Sequence, residues 1–256
     1  MKSLSFTVNK EKMRDKKISV ILPCYNEERI IKNNIETIIK FSKENPQYEF
    51  IFVNDGSTDK TPQIIKNAIN EKKSKNLRLI SYKSNKGKGQ AIKEGVLKAK
   101  GDYICFTDCD LAYSLDHLIL LANNLEKYDI VIGSRALLLD NRKELSLSRA
   151  IAGRTYNFLS RLILNLSFLD MQAGLKGFRN YTINNTFNKQ LIKDFSFDVE
   201  LLYLAKKNKY TIVEIPATLS SSHKYKNSKV NLIKDSFKMF ADLFKIKYND
   251  FKGKYE

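Results

Sequence analysis

Tyr103-Ile104-Cys105-Phe106-Thr107-Asp108-Cys109-Asp110 is the stretch on which the reading of this chain turns. Five residues suited to a strand interior run straight into two carboxylates one residue apart. A strand that ends this way presents its acids at the tip, where they can hold a divalent cation, and the cation can hold a diphosphate. Asp-x-Asp also occurs in solvated turns, so the triplet takes its meaning from what surrounds it.

Working outward, residues 18–22 read as a strand and 27–42 as a helix with Ile31, Ile35 and Ile38 on one face. Residues 49–53, 77–82 and 130–133 read as further strands. Helical patterns cover 58–71 and about 89–99, and another precedes the strand at 130. This alternation predicts an α/β fold: a single Rossmann-like domain with a mostly parallel central sheet flanked by helices. Ligands of such sheets lie beyond the carboxyl ends of the strands.

After Arg135 the rhythm changes. Residues 148–169 place Ala152, Tyr156, Leu159, Ile163 and Leu166 opposite Arg154, Asn157, Arg161 and Asn165. Residues 229–247 set Ile233, Phe237, Phe240 and Phe244 against Lys234, Lys238 and Lys245. The first is a long amphipathic helix or a helix pair, and the second repeats the amphipathic pattern. Each stripe either packs on the core or lies on a bilayer surface.

The segments at the strand ends carry the chemistry. After the first strand come Pro23, Cys24, Tyr25, Asn26 and Glu27; the tyrosine offers a flat face to a base. After the second comes Asn54-Asp55-Gly56-Ser57-Thr58-Asp59, with Asp55 placed to accept a hydrogen bond from a base N–H. Asn85-Lys86-Gly87-Lys88-Gly89-Gln90 follows the third, small and basic before a helix start, which suits an anionic diphosphate. Arg135 ends Gly133-Ser134-Arg135, and Arg149 lies near a helix start; either can grip a phosphate bidentately. Asp170-Met171-Gln172-Ala173-Gly174 leads into a strand passing close to a ligand. Asp198 and Glu200, in Phe197-Asp198-Val199-Glu200, read as helix-start charges.

The net charge of +17 over 256 residues predicts an anionic partner or a lysine-rich solvated surface. Three cysteines without a CxxC pair give neither a disulfide framework nor a zinc site and point to a reducing compartment. Two histidines are too few for a histidine-based metal site. No apolar run approaches the ~20 residues of a membrane span, and the first residues lack the apolar core of a secretory signal. Nucleic acid is disfavoured: no zinc finger or aromatic RNA-binding run is present, and the strand-tip acids repel phosphate.

Taken in order, PCYNE, VNDGSTD, NKGKGQA, TDCD, GSR and DMQAGLKGF resemble family 2 glycosyltransferases of the GT-A fold. More narrowly, they resemble the branch that moves one sugar onto a polyprenyl or dolichyl phosphate, with DMQAGLKGF, FDVELL and Ser228-Lys229-Val230 leaning toward the glucosyl side. The resemblance implies a nucleotide-sugar donor of UDP-glucose or GDP-mannose type, Mg²⁺ or Mn²⁺, and inverting transfer. It places Pro23, Tyr25, Glu27 and Asp55 at the nucleotide, and Lys88, Gln90 and Gln172 in segments lining the substrates. Asp108 and Asp110 fall at the metal and diphosphate, Arg135 and Arg149 at phosphates, and Asp170 at the catalytic centre. His223, Lys224 and Lys229 would form the acceptor-phosphate loop. A glycan or cell-wall polymer is the alternative acceptor. Asn54 departs from the family's usual aspartate, and Cys109 from its usual alanine.

The organisation expected is an extension over 1–17, a catalytic domain over 18–227 and a C-terminal amphipathic helix over 228–256 on a membrane surface. Within the catalytic domain, 18–135 serve the donor and 136–227 the acceptor. The expected location is peripheral, on the cytoplasmic face of an anionic membrane.

Overall fold

The computed structural model describes residues 15–138, 147–220 and 232–256. Seven strands form one sheet: β1 (Ile18–Cys24), β2 (Tyr48–Asp55), β3 (Leu77–Tyr82), β4 (Tyr103–Thr107), β5 (Ile130–Ser134), β6 (Leu175–Arg179) and β7 (Ile212–Pro216). Their order is β3-β2-β1-β4-β6-β5-β7. The helices are α1 (Glu28–Glu44), α2 (Thr61–Lys72), α3 (Lys88–Val96), α4 (Asp116–Leu125), α5 (Leu147–Leu164), α6 (Phe197–Lys207) and α7 (Leu232–Phe251).

The central strands are apolar on both faces, as expected when helices cover both sides. Val20, Leu22, Phe50, Phe52 and Cys105 face one core layer with Ile31, Ile35 and Ile38 of α1 and Leu118, Leu121 and Leu125 of α4. Ile21, Ile51, Val53, Ile104 and Phe106 face the other, with α3, α6 and parts of α5 and α7. Period-two alternation in the strands thus feeds two cores at once.

Register sets the site. Cys24 pairs with Asn54 and Asp55 with Tyr82 in parallel, so the loops after β1, β2 and β3 emerge on one edge. β6 alone runs against its neighbours, Thr107 pairing with Leu175 and Ile132 with Lys176. The reversal brings the start of β6 to the carboxyl ends of β4 and β5. Residues 170–174 therefore lie beside Asp108 and Arg135.

The packing sharpens three readings. The helical pattern over 148–169 is one helix that stops at Leu164, where Asn165 turns left-handed at φ 52°, a conformation that ends helices. Asp198 and Glu200 do stand in the first turn of α6, as read, and they are also buried, because α6 is inserted in the core. Among the described side chains of α7, Leu243 and Ile246 are buried in the core, with Asp242 and Asn249. Phe237, Phe240 and Phe244, the apolar face read from sequence, are exposed together with Tyr248 and Phe251. α7 packs on α5, and Tyr255 beyond it donates from its hydroxyl to buried Glu200 at 2.5 Å. Among the described residues no helix is long and apolar enough to cross a membrane.

Candidate active site

Asp108 directly follows β4. Its Oδ1 meets the Lys88 ammonium at 2.5 Å. Gly174 closes over the other oxygen: a Cβ there would lie 2.5 Å from Asp108 Oδ2 and 3.3 Å from Lys88 Nζ. This close approach requires a glycine. The turn beyond is tight, with the Leu111 and Ala112 amides donating to the Asp108 carbonyl and to Asp110 Oδ1, each at 3.1 Å. Leu111 takes φ 53°, uncommon for a bulky side chain. Asn34 on α1 donates to the Cys109 carbonyl at 2.9 Å and ties the turn to the core. A hydrogen bond with Cys24, and then burial, push the Cys109 thiol well up, so it is an unreactive packing group.

Lys88 stands at the first position of α3. Burial pulls its ammonium down, but Asp108, Asp198 and Asp110 outweigh that and leave it raised. Beneath it Lys176, fully buried on β6, donates to Asp198 Oδ1 at 2.6 Å and to the Ala173 carbonyl at 2.7 Å. The Ala173 carbonyl belongs to the loop that places Gly174, so this pair holds the glycine against Asp108. Burial raises the Asp198 carboxyl, opposed by Lys176 and Lys88. Such a pair adds little net stability when intact and is costly to break by half.

Asp170 is gripped by Arg135 through its amide at 3.0 Å, Nε at 2.7 Å and Nη2 at 2.9 Å. Glu214 on β7 fixes the same loop by accepting from the Leu169 and Asp170 amides at 2.9 and 3.1 Å. Burial pushes the Asp170 carboxyl up, but Arg135 wins and holds it below its ordinary value. Arg135 is raised in turn, burial being outweighed by Asp170 and neighbouring groups. Tyr113, buried in the field of Arg135, Asp170, Asp108 and Asp198, has its phenol raised chiefly by burial.

On the donor side, Asp55 is buried and accepts the Lys86 and Gly87 amides at 2.8 and 3.0 Å. It therefore shapes the loop that delivers Lys88. Asn54 donates to Ser81 Oγ at 2.9 Å, a bond an ionised aspartate could not make. Asn26, at φ 52°, accepts from the Thr58 amide at 2.8 Å and donates its own to Ser57 Oγ at 3.0 Å, lacing the first two loops together. Pro23 pairs in register with Val53, Tyr25 is exposed at the rim, and the Glu27 amide donates to Thr61 Oγ1 at 2.8 Å.

Asp108, Asp110, Lys88, Asp170 and Arg135 thus converge, with Asp55 bracing them and Pro23, Tyr25 and Glu27 on the adjoining loop. Gln172 lies in the Asp170 loop, its amide donating to Asp170 Oδ1 at 3.3 Å. Gln90 is turned along its own helix and donates to Glu94 at 3.1 Å. Arg149 has its backbone in α5, but its side chain lies outside the described residues, as do His223, Lys224 and Lys229. Sequence reading missed Lys176, Asp198, Tyr113 and Glu214 as site components. The one available signal was a lysine inside the apolar strand pattern of 175–178.

Among the described residues no cluster of three His, Cys, Asp or Glu side chains could enclose a metal. Two carboxylates from one turn are instead an oxygen-only partial set of the kind that binds Mg²⁺ or Mn²⁺ jointly with water and substrate phosphate. The ammonium already seated on Asp108 marks that oxygen as a place for positive charge.

A carboxyl-edge cleft of this construction, on a parallel half-sheet closed by one reversed strand, defines a nucleotide-sugar transferase of the GT-A type. The chain belongs to glycosyl transferase family 2, whose family model matches residues 19–187. It is 31% identical to a dolichyl-phosphate beta-glucosyltransferase of Dictyostelium discoideum over 95% of this chain and 78% of the relative. It is also 31% identical to the Saccharomyces cerevisiae protein of that name, over 88% and 72%. The fold matches glucosyl-3-phosphoglycerate synthase from Mycobacterium tuberculosis in complex with uridine-diphosphate at a TM-score of 0.69 and 18% identity, covering 96% of this chain and 86% of that one.

Proposed function

We propose that this glycosyltransferase moves a single sugar, glucose by preference, from a nucleoside-diphosphate sugar to a polyprenyl or dolichyl phosphate with inversion. The observation that carries the proposal is the Lys88–Asp108–Gly174 contact beside Asp110, a site matched in charge and closeness of approach to a diphosphate. The relatives named dolichyl-phosphate beta-glucosyltransferase support the acceptor and the sugar.

An acceptor phosphate oxygen attacks the anomeric carbon, the glycosidic C–O bond to the diphosphate breaks, and the nucleoside diphosphate leaves with the electron pair. A phosphate monoester with a second pKa of about 6 is already largely ionised at neutral pH, so no strong base is needed. Asp170, with both oxygens engaged, fits this as a positioning residue that aims Arg135. A divalent cation on Asp108 and Asp110 would supply charge neutralisation for the leaving diphosphate. Lys88 and the Lys86–Gly87 backbone orient the donor, Asp55 and Tyr25 border the base, and Arg149, His223, Lys224 and Lys229 receive the acceptor phosphate.

The enzyme meets its lipid as a peripheral protein on the cytoplasmic face of an anionic membrane. Phe237, Phe240, Phe244, Tyr248 and Phe251 recur at three- and four-residue spacing and form one exposed stripe on α7. Exposed Lys245, Lys247 and Lys252 lie among and beside them. Aromatic residues with lysine at their margin suit the headgroup region, and three free thiols suit a reducing compartment.

Incubation with Mn²⁺, polyprenyl phosphate and labelled UDP-glucose, UDP-galactose or GDP-mannose should carry label into the organic phase, most from UDP-glucose. EDTA or Asp110→Asn should abolish most of it. Full transfer in EDTA, or none from any donor, refutes the assignment.

A further inference from the structure

Lys88 occupies an electrostatically poor position. It is the first residue of α3, where unsatisfied amides carry partial positive charge and a cation is disfavoured. Its partner is Asp108, at 2.5 Å. Gly174 closes over the second Asp108 oxygen and leaves room for nothing as large as a methyl group. The Lys176–Asp198 pair below fixes the loop that carries Gly174. One Asp108 oxygen is therefore taken by an ammonium and the other has the Gly174 backbone packed against it, while 31% of the side chain stays exposed.

We propose that Lys88 is an internal counter-ion that occupies Asp108 until a diphosphate arrives, so that metal and nucleotide bind as linked ligands. This rests on the reading of Asp108 and Asp110 as the metal acids. A divalent cation approaching without nucleotide meets a like charge already seated on Asp108. A diphosphate offers the same ammonium a second, doubly charged partner within reach of the helix start. Lys88 then shifts from carboxylate to phosphate, and an Asp108 oxygen is released. Linkage is reciprocal: the factor by which nucleotide tightens the metal is the factor by which metal tightens nucleotide. The exchange keeps charge balanced in both states, and it disfavours a metal bound in the empty enzyme.

The test is Mn²⁺ affinity, measured by electron paramagnetic resonance of free Mn²⁺ and by calorimetry, with no turnover. Wild type should bind Mn²⁺ at least about 10-fold more tightly in saturating UDP or GDP than without nucleotide, inside the roughly 5–150-fold range usual for such coupling. Lys88→Met should bind Mn²⁺ alone about 10-fold more tightly than wild type, and nucleotide should then add less than about 3-fold. Lys88→Arg, which keeps the charge, should behave as wild type. If Lys88→Met does not fold, Lys88→Gln carries the same expectation. Should the uncharged variant bind Mn²⁺ alone no better than wild type and lose only nucleotide affinity, Lys88 is a simple phosphate ligand and the exchange is overturned. If no form binds Mn²⁺ with or without nucleotide, the metal reading fails and the exchange with it.

Discussion

Gly174→Ala is the smallest change that should separate folding from catalysis in this enzyme. The glycine has no positive φ, so alanine meets no backbone penalty there. The obstacle is steric: the new Cβ would lie 2.5 Å from Asp108 Oδ2 and 3.1 Å from its Cγ. Restoring ordinary contact near 3.4 Å requires a shift of about 0.9 Å, from the difference between 3.4 and 2.5 Å. Lys176 and Asp198 hold the glycine's side of the contact, so Asp108 is the group that moves. A misplacement of about 1 Å costs on the order of 100-fold in rate, or about 2.7 kcal/mol of transition-state stabilisation at 1.36 kcal/mol per decade. We expect kcat/KM for the nucleotide sugar to fall about 100-fold, with a stability loss of about 1–3 kcal/mol from overpacking. Gly177→Ala, on the strand that follows, is the control. Its Cβ would press on Leu125 Cδ1 at 2.9 Å and Cys105 Sγ at 3.2 Å, in the core. It should lower Tm comparably and leave donor affinity within about 3-fold, since it overpacks the core alone. The assays are organic-phase label transfer, calorimetric UDP binding and thermal unfolding. Gly174→Ala with transfer within about 3-fold of wild type would refute the reasoning, because Asp108 would then tolerate displacement.

Arg135→Gln should destabilise the protein by about 3–5 kcal/mol, since it leaves the buried Asp170 carboxylate without its cation. Asp170 titrates below its ordinary value in the folded state, so its contribution is fully present above the unfolded pKa of about 3.9 and is lost as pH falls through the lower folded value. The stability gap between wild type and Arg135→Gln, followed by circular dichroism in denaturant, should therefore be widest above that range and narrow as pH falls through it, because the variant lacks the cation that depresses the Asp170 carboxyl. Asp55→Ala frees the Lys86 and Gly87 amides and should raise the donor KM more than the acceptor KM in steady-state kinetics. Phe237→Ser with Phe251→Ser should reduce co-sedimentation with anionic liposomes while donor binding persists, because both side chains are exposed and remote in sequence from the cleft loops. Salt should weaken wild-type liposome binding, as attraction to a charged surface is screened beyond ~8 Å at physiological ionic strength.

Strand and helix alternation, the two-sided apolar strands and the acids ending β4 were legible from local pattern, because a period of two or 3.6 and a polar break need no tertiary context. So were Asp55, the last residue of β2, and Lys88, at the start of α3. The helix faces were not. Periodicity finds an apolar stripe on α7 but cannot say what covers it. Only packing shows that Leu243 and Ile246 enter the core while five aromatic side chains face outward. Asp198 read as a first-turn acid and is one, but its pairing with Lys176, a residue 22 positions away, was not legible. The grip of Arg135 on Asp170 spans 35 positions. It exists because β6 runs against β4 and β5 and carries residues 170–174 back to their carboxyl ends. The chain by itself thus determined which elements form and which residues can carry charge at the strand tips. Which charges meet was decided by the direction of one strand, since a reversed strand exchanges its two ends across the sheet while leaving its own pattern of side chains unchanged.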